Sequence, residues 1–282
     1  MNYNRIITFL LAWTMALAAS ASNYFFRKVD VKDGLSDNFV RDVVRDSHGY
    51  VWFSTINGLS RFDGYRFHNY MPQHFGARGN DVTMVRETAD STLWMSCAGE
   101  LFTYNRLADT WRKDGVKRLE KLGVEGRVEL FYVDDRHNLW AATDMGLFHY
   151  DFSLRKIHRL SNFSGAPISS IVSRNGTTIV VNSDNKIYEV SLKSDRLIHL
   201  SQASFLVHDR NSRVFLDSHM TLWFFNSHTL VGTQWLFSLK THEWRQPTEL
   251  AQMGPVLLNA LLEDNDGRLW MGTGNAGIHV FD

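Results

Sequence analysis

A tryptophan recurs along this sequence inside the same short phrase, and that recurrence limits the folds available to the chain. The phrase has five clear copies, centred on Trp52, Trp94, Trp140, Trp223 and Trp270. A degenerate copy has Ile179 at the tryptophan position, so that successive copies lie 39 to 47 residues apart. A period in this range, with short β-type segments in every unit, is typical of the blades of a β-propeller.

Each unit divides into four short strands. In the first unit an apolar segment around Val43 leads to a turn at residues 46–49, and an aromatic and β-branched segment follows at 50–54. The dipeptides Asn57-Gly58 and Asp63-Gly64 then mark two tight hairpins. The whole pattern predicts an all-β fold, a propeller of four-stranded blades. The blades are expected near residues 24–70, 71–113, 120–160, 166–200, 203–246 and 253–282.

The expected propeller is one domain over residues 22–282. The segment from Tyr24 to Val29 is expected to pair with the last blade, and the charged segment from Lys117 to Lys121 is expected to be a linker. The repeat tryptophans are expected to be buried wedges between adjacent sheets, because large aromatic side chains supply much of the buried area. This expectation covers Trp52, Trp94, Trp140, Trp223 and Trp270.

The N-terminus predicts export. The cation Arg5 precedes the apolar run Ile6–Ala18, and Ala19-Ser20-Ala21 fits a small-x-small cleavage pattern. The run is short for a membrane span, which takes about 20 apolar residues. We therefore expect residues 1–21 to be a cleaved secretory signal, the mature chain to be periplasmic, and no span to follow. The single cysteine, Cys97, is expected to be buried in a strand of the second blade, since it cannot form an intrachain disulfide.

Charge and local motifs give little support to several other functions. Thirty basic and thirty acidic residues leave no basic field for nucleic acid. Asp264, Asp266 and Gly267 resemble part of a calcium loop, but the distal glutamate is missing, so a hairpin turn is the simpler interpretation. The histidines lack metal-binding spacing, and no nucleophile elbow is present. We therefore predict no metal, no cofactor and no catalytic residue, although catalytic side chains can also meet only in the fold.

One loop on the expected ligand face is unusually long. A ligand face of this kind is built from the turns between second and third strands and from the loops that lead into each first strand. The fifth unit has extra residues in that turn, and they include Asn226, His228, Gln234 and Trp235. Aromatic faces and amides are groups that bind sugars. The alternative is that Trp235 packs under its own loop.

The loops that lead into other first strands add further candidates. Arg78 and Asn80 precede the second unit, Arg127 precedes the third, and Asn259 belongs to the sixth. Arginine binds carboxylate or sulfate groups well, so these positions predict contacts to an acidic glycan. The alternative is that they are solvated loop residues.

The repeated phrase resembles the two-component regulator propeller repeat. The resemblance rests on the order Asp, Gly, Trp, Thr, Gly-Leu and Phe/Tyr-Asp/Asn in each unit, and on the opening segment Asp33–Val40. In that family two seven-bladed propellers and a small β-sandwich precede a membrane helix in hybrid two-component systems of gut Bacteroidetes. The sequence ends after the third strand of the sixth unit, so we expect an incomplete propeller without the kinase portion.

The resemblance implies a function. It implies a periplasmic sensor segment that detects an oligosaccharide and controls genes for glycan use, as a homodimer in the inner membrane in the full-length form. Two alternatives stay open at this point. The chain is instead a carbohydrate- or protein-binding scaffold propeller, or a propeller enzyme such as a polysaccharide lyase, since fold alone does not choose a function.

Overall fold

Six antiparallel β-sheets make up the structure, a computed structural model. It describes residues 31–160, 166–206, 212–225, 230, 233–247, 250, 257–263, 267–273 and 278–281. Five of the sheets have four strands and one has three, and within each sheet neighbouring strands follow chain order. The sheets are the blades of a β-propeller, and their positions agree with the sequence repeat. The all-β prediction is confirmed.

The first three blades begin at Val40 and end at Leu160. Blade 1 contains β1 (Val40–Arg45), β2 (Val51–Thr55), β3 (Gly58–Phe62) and β4 (Phe67–Tyr70). Blade 2 contains β5 (Val82–Glu87), β6 (Leu93–Cys97), β7 (Glu100–Asn105) and β8 (Thr110–Arg112). Blade 3 contains β9 (Val128–Val133), β10 (Leu139–Thr143), β11 (Gly146–Asp151) and β12 (Lys156–Leu160).

The remaining blades follow the same plan. Blade 4 contains β13 (Ile168–Arg174), β14 (Thr177–Asn182), β15 (Lys186–Ser191) and β16 (Arg196–Gln202). Blade 5 contains β17 (Arg213–Leu216), β18 (Thr221–Phe225), β19 (Trp235–Ser238) and β20 (Trp244–Arg245). Blade 6 contains β21 (Leu258–Glu263), β22 (Leu269–Thr273) and β23 (Ile278–Phe281). The segment Tyr24–Val29, which was expected to pair with this blade, lies outside the described residues.

The prediction of a linker at Lys117–Lys121 is wrong. Residues Gly115–Lys121 form an α-helix, α1, between blades 2 and 3. The helix buries Leu119 completely, and a Cβ on Gly115 would lie 2.6 Å from Cβ of Leu101. The charged residues indicate a solvated segment, but Leu119, which lies between them, packs the helix against the core. Two short 3-10 helices, Val31–Asp33 and Pro72–Phe75, complete the described helical structure.

The hydrophobic core is divided among the joints between blades. Each of five clusters of buried side chains draws its members from two consecutive blades. At the first joint, for example, the Trp52 ring lies 5.3 Å from that of Tyr104 and 5.7 Å from that of Trp111. The wedge prediction is confirmed for four tryptophans, and the side chain of Trp270 lies outside the described part. The four are Trp52, Trp94, Trp140 and Trp223.

Every described repeat tryptophan also forms the same kind of polar contact. Its indole N–H donates to the side chain six residues earlier, at the start of the turn between the first two strands of the blade. The acceptors are Asp46 for Trp52 at 3.0 Å, Asp134 for Trp140 at 2.9 Å and Asp217 for Trp223 at 2.8 Å. In blade 2 the acceptor of Trp94 is the hydroxyl of Thr88 at 3.1 Å.

Candidate functional site

The joint between blades 4 and 5 differs from the other four described joints, because its tryptophan position holds Ile179. The Ile179 side chain is fully buried. Beside it lies a cavity of about 140 Å³, which Met220 and Leu239 of blade 5 also line. A branched aliphatic side chain fills less space than an indole. The degenerate repeat therefore lies beside unfilled space in this joint.

A second cavity opens at the same joint, on the face that carries the turns between second and third strands. Its volume is about 170 Å³. We call this cavity the blade 4–5 cleft. Its lining residues are Ser169, Ser170, Val181, Asn185, Phe205, Leu206, Ser212, Arg213, Val214, Phe224, Phe225, Thr233 and Trp235. They come from the starts of β13 and β17, from the loop between blades 4 and 5, and from two turns of the predicted ligand face.

Two aromatic rings stand together in the lining of the cleft. The rings of Phe205 and Trp235 have centroids 4.4 Å apart and planes tilted by 48°. Phe205 also packs edge-on against Trp244, which lies in β20. Phe205 remains 48% exposed, and Trp235 is half-buried. A half-exposed aromatic pair of this kind offers an apolar face to a ligand while its edges stay anchored to the core.

Hydrogen bonds within the loops fix the polar side of the cleft. The Asn185 side chain donates to the carbonyl of Leu206 at 2.9 Å, and so ties the β14–β15 turn to the loop that carries Phe205. The Thr233 hydroxyl donates to the carbonyl of Leu230 at 2.7 Å. These contacts order both turns before any ligand arrives. The cleft is thus largely pre-formed, as small-molecule sites usually are.

A family model described as the two component regulator propeller matches residues 34–57 and 254–275. These two segments are similar to the two-component regulator propeller repeat, and they contain residues of the first and the sixth blades.

A relative and a solved structure are also similar to the chain. Histidine kinase P4 of Formosa agariphila is 39% identical over 56 residues, which cover 20% of this chain and 4% of that kinase. The extracellular domain of the hybrid two-component system BT3049 from B. thetaiotaomicron superposes with a TM-score of 0.61 at 19% identity, over 91% of this chain and 35% of that one. At that identity the superposition shows the fold alone, and the chain spans about a third of the solved extracellular domain.

A solved enzyme has the same fold. A catalytically inactive virginiamycin B lyase from Staphylococcus aureus, solved with quinupristin, superposes with a TM-score of 0.62 at 12% identity. The match covers 92% of this chain and 85% of the lyase. At such low identity the likeness shows the propeller fold alone.

The predicted ligand residues of the long fifth turn have separate positions in the propeller. Trp235 lines the blade 4–5 cleft. Gln234 is fully buried, and its amide donates to the carbonyl of Leu230 at 2.8 Å, so it supports the turn from beneath. Asn226 and His228 lie outside the described residues.

Three of the candidates from the other loops, Arg78, Asn80 and Arg127, are not among the described residues that line the cleft. Arg78 forms an ion pair with Glu100, and Arg127 forms one with Glu129. The Asn80 amide donates to the side chain of Asn57 at 3.1 Å. Asn259 belongs to β21, and its side chain is outside the described part.

Sequence reasoning missed Phe205, Asn185 and Arg213. Phe205 and Arg213 flank the segment that leads into the first strand of blade 5, and loops that lead into first strands are a signal that the sequence does carry. Asn185 shows no comparable signal, since its role depends on the turn between β14 and β15 meeting that loop.

The described residues give no sign of a metal site or of a membrane span. They contain no group of three or more His, Cys, Asp or Glu side chains arranged to hold a metal ion. Over the same part of the chain, no helix has the length and apolar character that crossing a membrane requires.

Proposed function

We propose that this chain is the ligand-sensing segment of a periplasmic two-component sensor, and that its ligand is an oligosaccharide that binds in the blade 4–5 cleft. The observation that carries the proposal is the aromatic pair Phe205 and Trp235 beside a row of hydroxyl and amide side chains. A sugar ring stacks its apolar face on an aromatic side chain, and its hydroxyls exchange hydrogen bonds with groups that both donate and accept.

The location of the cleft suits a sensor. A ligand in the cleft contacts β13 in blade 4 and β17 in blade 5, and it does so at the joint that lacks the tryptophan wedge. Binding that favours one packing of the two blades over another shifts the population of the whole propeller. Similarity to a histidine kinase and to an extracellular domain of a hybrid two-component system supports this type of output.

The remaining parts of the proposal concern the whole protein. Residues 1–21 act as a secretory signal, and residues 22–282 are the propeller in the periplasm. The complete sensor is a homodimer in the inner membrane and passes the signal to a kinase portion that regulates genes for glycan use. The role of this segment is binding, and it performs no catalysis.

Calorimetry on the purified chain tests the proposal. A panel of plant and host oligosaccharides is titrated first into the native chain and then into Trp235→Ala. We expect at least a tenfold loss of affinity in the variant, with little change in melting temperature, because Trp235 is half-buried at the rim of the cleft. Tyr65→Ala is the matched control, since Tyr65 is 95% exposed on the turn between β3 and β4. It should change neither quantity.

Two results would count against the proposal. If Trp235→Ala lowers the melting temperature and leaves the affinity unchanged, Trp235 is a packing residue only. If incubation with the panel releases shortened or unsaturated sugars, the propeller is an enzyme, and the binding-only role is wrong.

A further inference from the structure

A single charged side chain lines the two cavities that meet at the start of β17. The second of these cavities has a volume of about 210 Å³ and runs along the first strands of blades 3, 4 and 5. It shares Ser169, Ser170, Ser212, Arg213 and Val214 with the blade 4–5 cleft. Among the described lining residues of both cavities, Arg213 is the only one with a charge, and no aspartate or glutamate accompanies it.

Arg213 is not neutralised within the described part of the chain. Its side chain is exposed, and it forms no hydrogen bond or ion pair there. Arginines elsewhere on this face, such as Arg78 and Arg127, are paired with glutamates. The chain as a whole has a formal net charge of zero, so its overall charge neither cancels nor adds to the positive charge of Arg213.

The backbone holds Arg213 in place for a role in the cleft. It pairs with Phe225 in the β17–β18 register, so it occupies the first position of the fifth blade's inner strand. Phe225 itself is buried, which anchors this end of the strand. A guanidinium at a fixed strand position, close to hydroxyls and free of acidic partners, is suited to bind a carboxylate or a sulfate through two parallel N–H groups.

We propose that the blade 4–5 cleft selects an acidic oligosaccharide, whose carboxylate or sulfate binds Arg213 while a neighbouring ring stacks on Phe205 and Trp235. This inference rests on the proposed function and adds the chemical class of the ligand. A neutral sugar would leave Arg213, the one charged side chain among the described lining residues, without an anionic partner. An anionic sugar replaces the water around Arg213 with a charge-assisted pair, which is stronger than a neutral hydrogen bond.

The test compares matched acidic and neutral sugars on the full chain by calorimetry. One pair is trigalacturonate and its methyl ester, and the other is a sulfated chondroitin disaccharide and its unsulfated form. We expect at least tenfold tighter binding of the acidic member of one pair, and the preferred pair shows whether carboxylate or sulfate is the natural group. Arg213→Gln should remove this preference, and Arg213→Lys should restore part of it. Raising the salt concentration should weaken the acidic ligand only.

Arg66→Gln is the matched control, because Arg66 is an exposed arginine on the β3–β4 turn and loses the same charge. It should retain the preference. If neutral and acidic sugars bind equally, or if Arg66→Gln and Arg213→Gln act alike, the acidic-ligand inference is wrong while oligosaccharide binding stands. If Trp235→Ala has no effect on any sugar that binds, or none binds at all, the proposed function fails and this inference fails with it.

Discussion

Asp46 joins two parts of the first blade with one carboxylate. Its Oδ2 accepts the indole N–H of Trp52 at 3.0 Å, and its Oδ1 accepts the backbone N–H groups of His48 and Tyr50 at 2.9 and 3.0 Å. The same residue therefore closes the turn between β1 and β2 and fixes the wedge that fills the joint with blade 2. This double role explains why an aspartate and a tryptophan six positions apart recur together along the chain.

Loss of a wedge should be costly. Trp52→Ala removes a fully buried indole that contacts Tyr70, Tyr104 and Trp111. We expect the free energy of unfolding to fall by about 3–5 kcal/mol, as for other truncations of large aromatic residues in cores. Urea denaturation measures this directly. A variant with unchanged stability would mean that the joint is not held by its tryptophan.

Asp134 should make the joint of blades 3 and 4 sensitive to acid. Burial raises the pKa of its carboxyl group, but the nearby imidazole of His149, the indole N–H of Trp140 and the N–H groups of its turn outweigh burial, so the pKa lies below the ordinary 3.8. Because the folded-state pKa is lowered, the stability that Asp134 contributes is complete above about pH 5, well above the pKa of the unfolded chain. It is lost as the pH falls through the lowered value.

A pH series on Asp134→Asn tests this relationship. The variant should be about 1–3 kcal/mol less stable than the native chain at pH 7, since it loses hydrogen bonds to a charged acceptor. The difference in free energy of unfolding should shrink when urea denaturation is repeated at pH 4 and pH 3. A constant difference across this range would show that the charge of Asp134 is not involved.

Helix α1 should be held by one side chain. Leu119 is completely buried, whereas Val116 on the same helix is 44% exposed. We expect Leu119→Ala to cost about 2–5 kcal/mol, and Val116→Ala to change stability by about 0.5 kcal/mol or less. Thermal unfolding of the two variants side by side would settle the point, and equal effects would contradict the docking of α1 through Leu119.

Cys97 should be inert in the folded chain. Burial raises the pKa of its thiol to about 11, and the charges of Asp81 and Glu100 act in the same direction. The thiolate is the reactive form, so a disulfide reagent at pH 8 should modify the native chain very slowly and the denatured chain fully. Cys97→Ser provides the blank, because the chain has one cysteine. Rapid modification of the native chain would show that blade 2 opens.

The sequence predicted the blades well because each contains its own turn signals and all but the fourth carry the repeat tryptophan. It was less reliable about single contacts inside the repeat. In the third copy Asp134 and Asp135 are adjacent, and the acceptor of the Trp140 indole is Asp134. In the second copy the acceptor is Thr88 rather than Asp90, which instead accepts from the Thr88 hydroxyl at 2.6 Å. A sequence pattern does not distinguish between neighbouring polar residues. The folded structure shows which of them accepts the indole hydrogen bond.

The candidate site was predictable in part. The long fifth turn predicted Trp235 and Gln234 alike as ligand residues, but the structure places Trp235 in the lining of the cleft and buries Gln234. Phe205 reaches the cleft from a different loop, and its contact with Trp235 joins residues that are distant in the chain. Contacts of this kind depend on how two sheets pack against each other, and no short sequence motif specifies that packing.

Ile179 makes the joint between blades 4 and 5 different from the other described joints. Identical units arranged around an axis have equivalent joints, and equivalent joints offer equivalent places for a ligand, none of them distinguished from the next. One substitution of a smaller side chain removes that rotational equivalence. The departure from the repeat, which looks like a loss of information in the sequence, therefore distinguishes the joint of blades 4 and 5 from the other described joints.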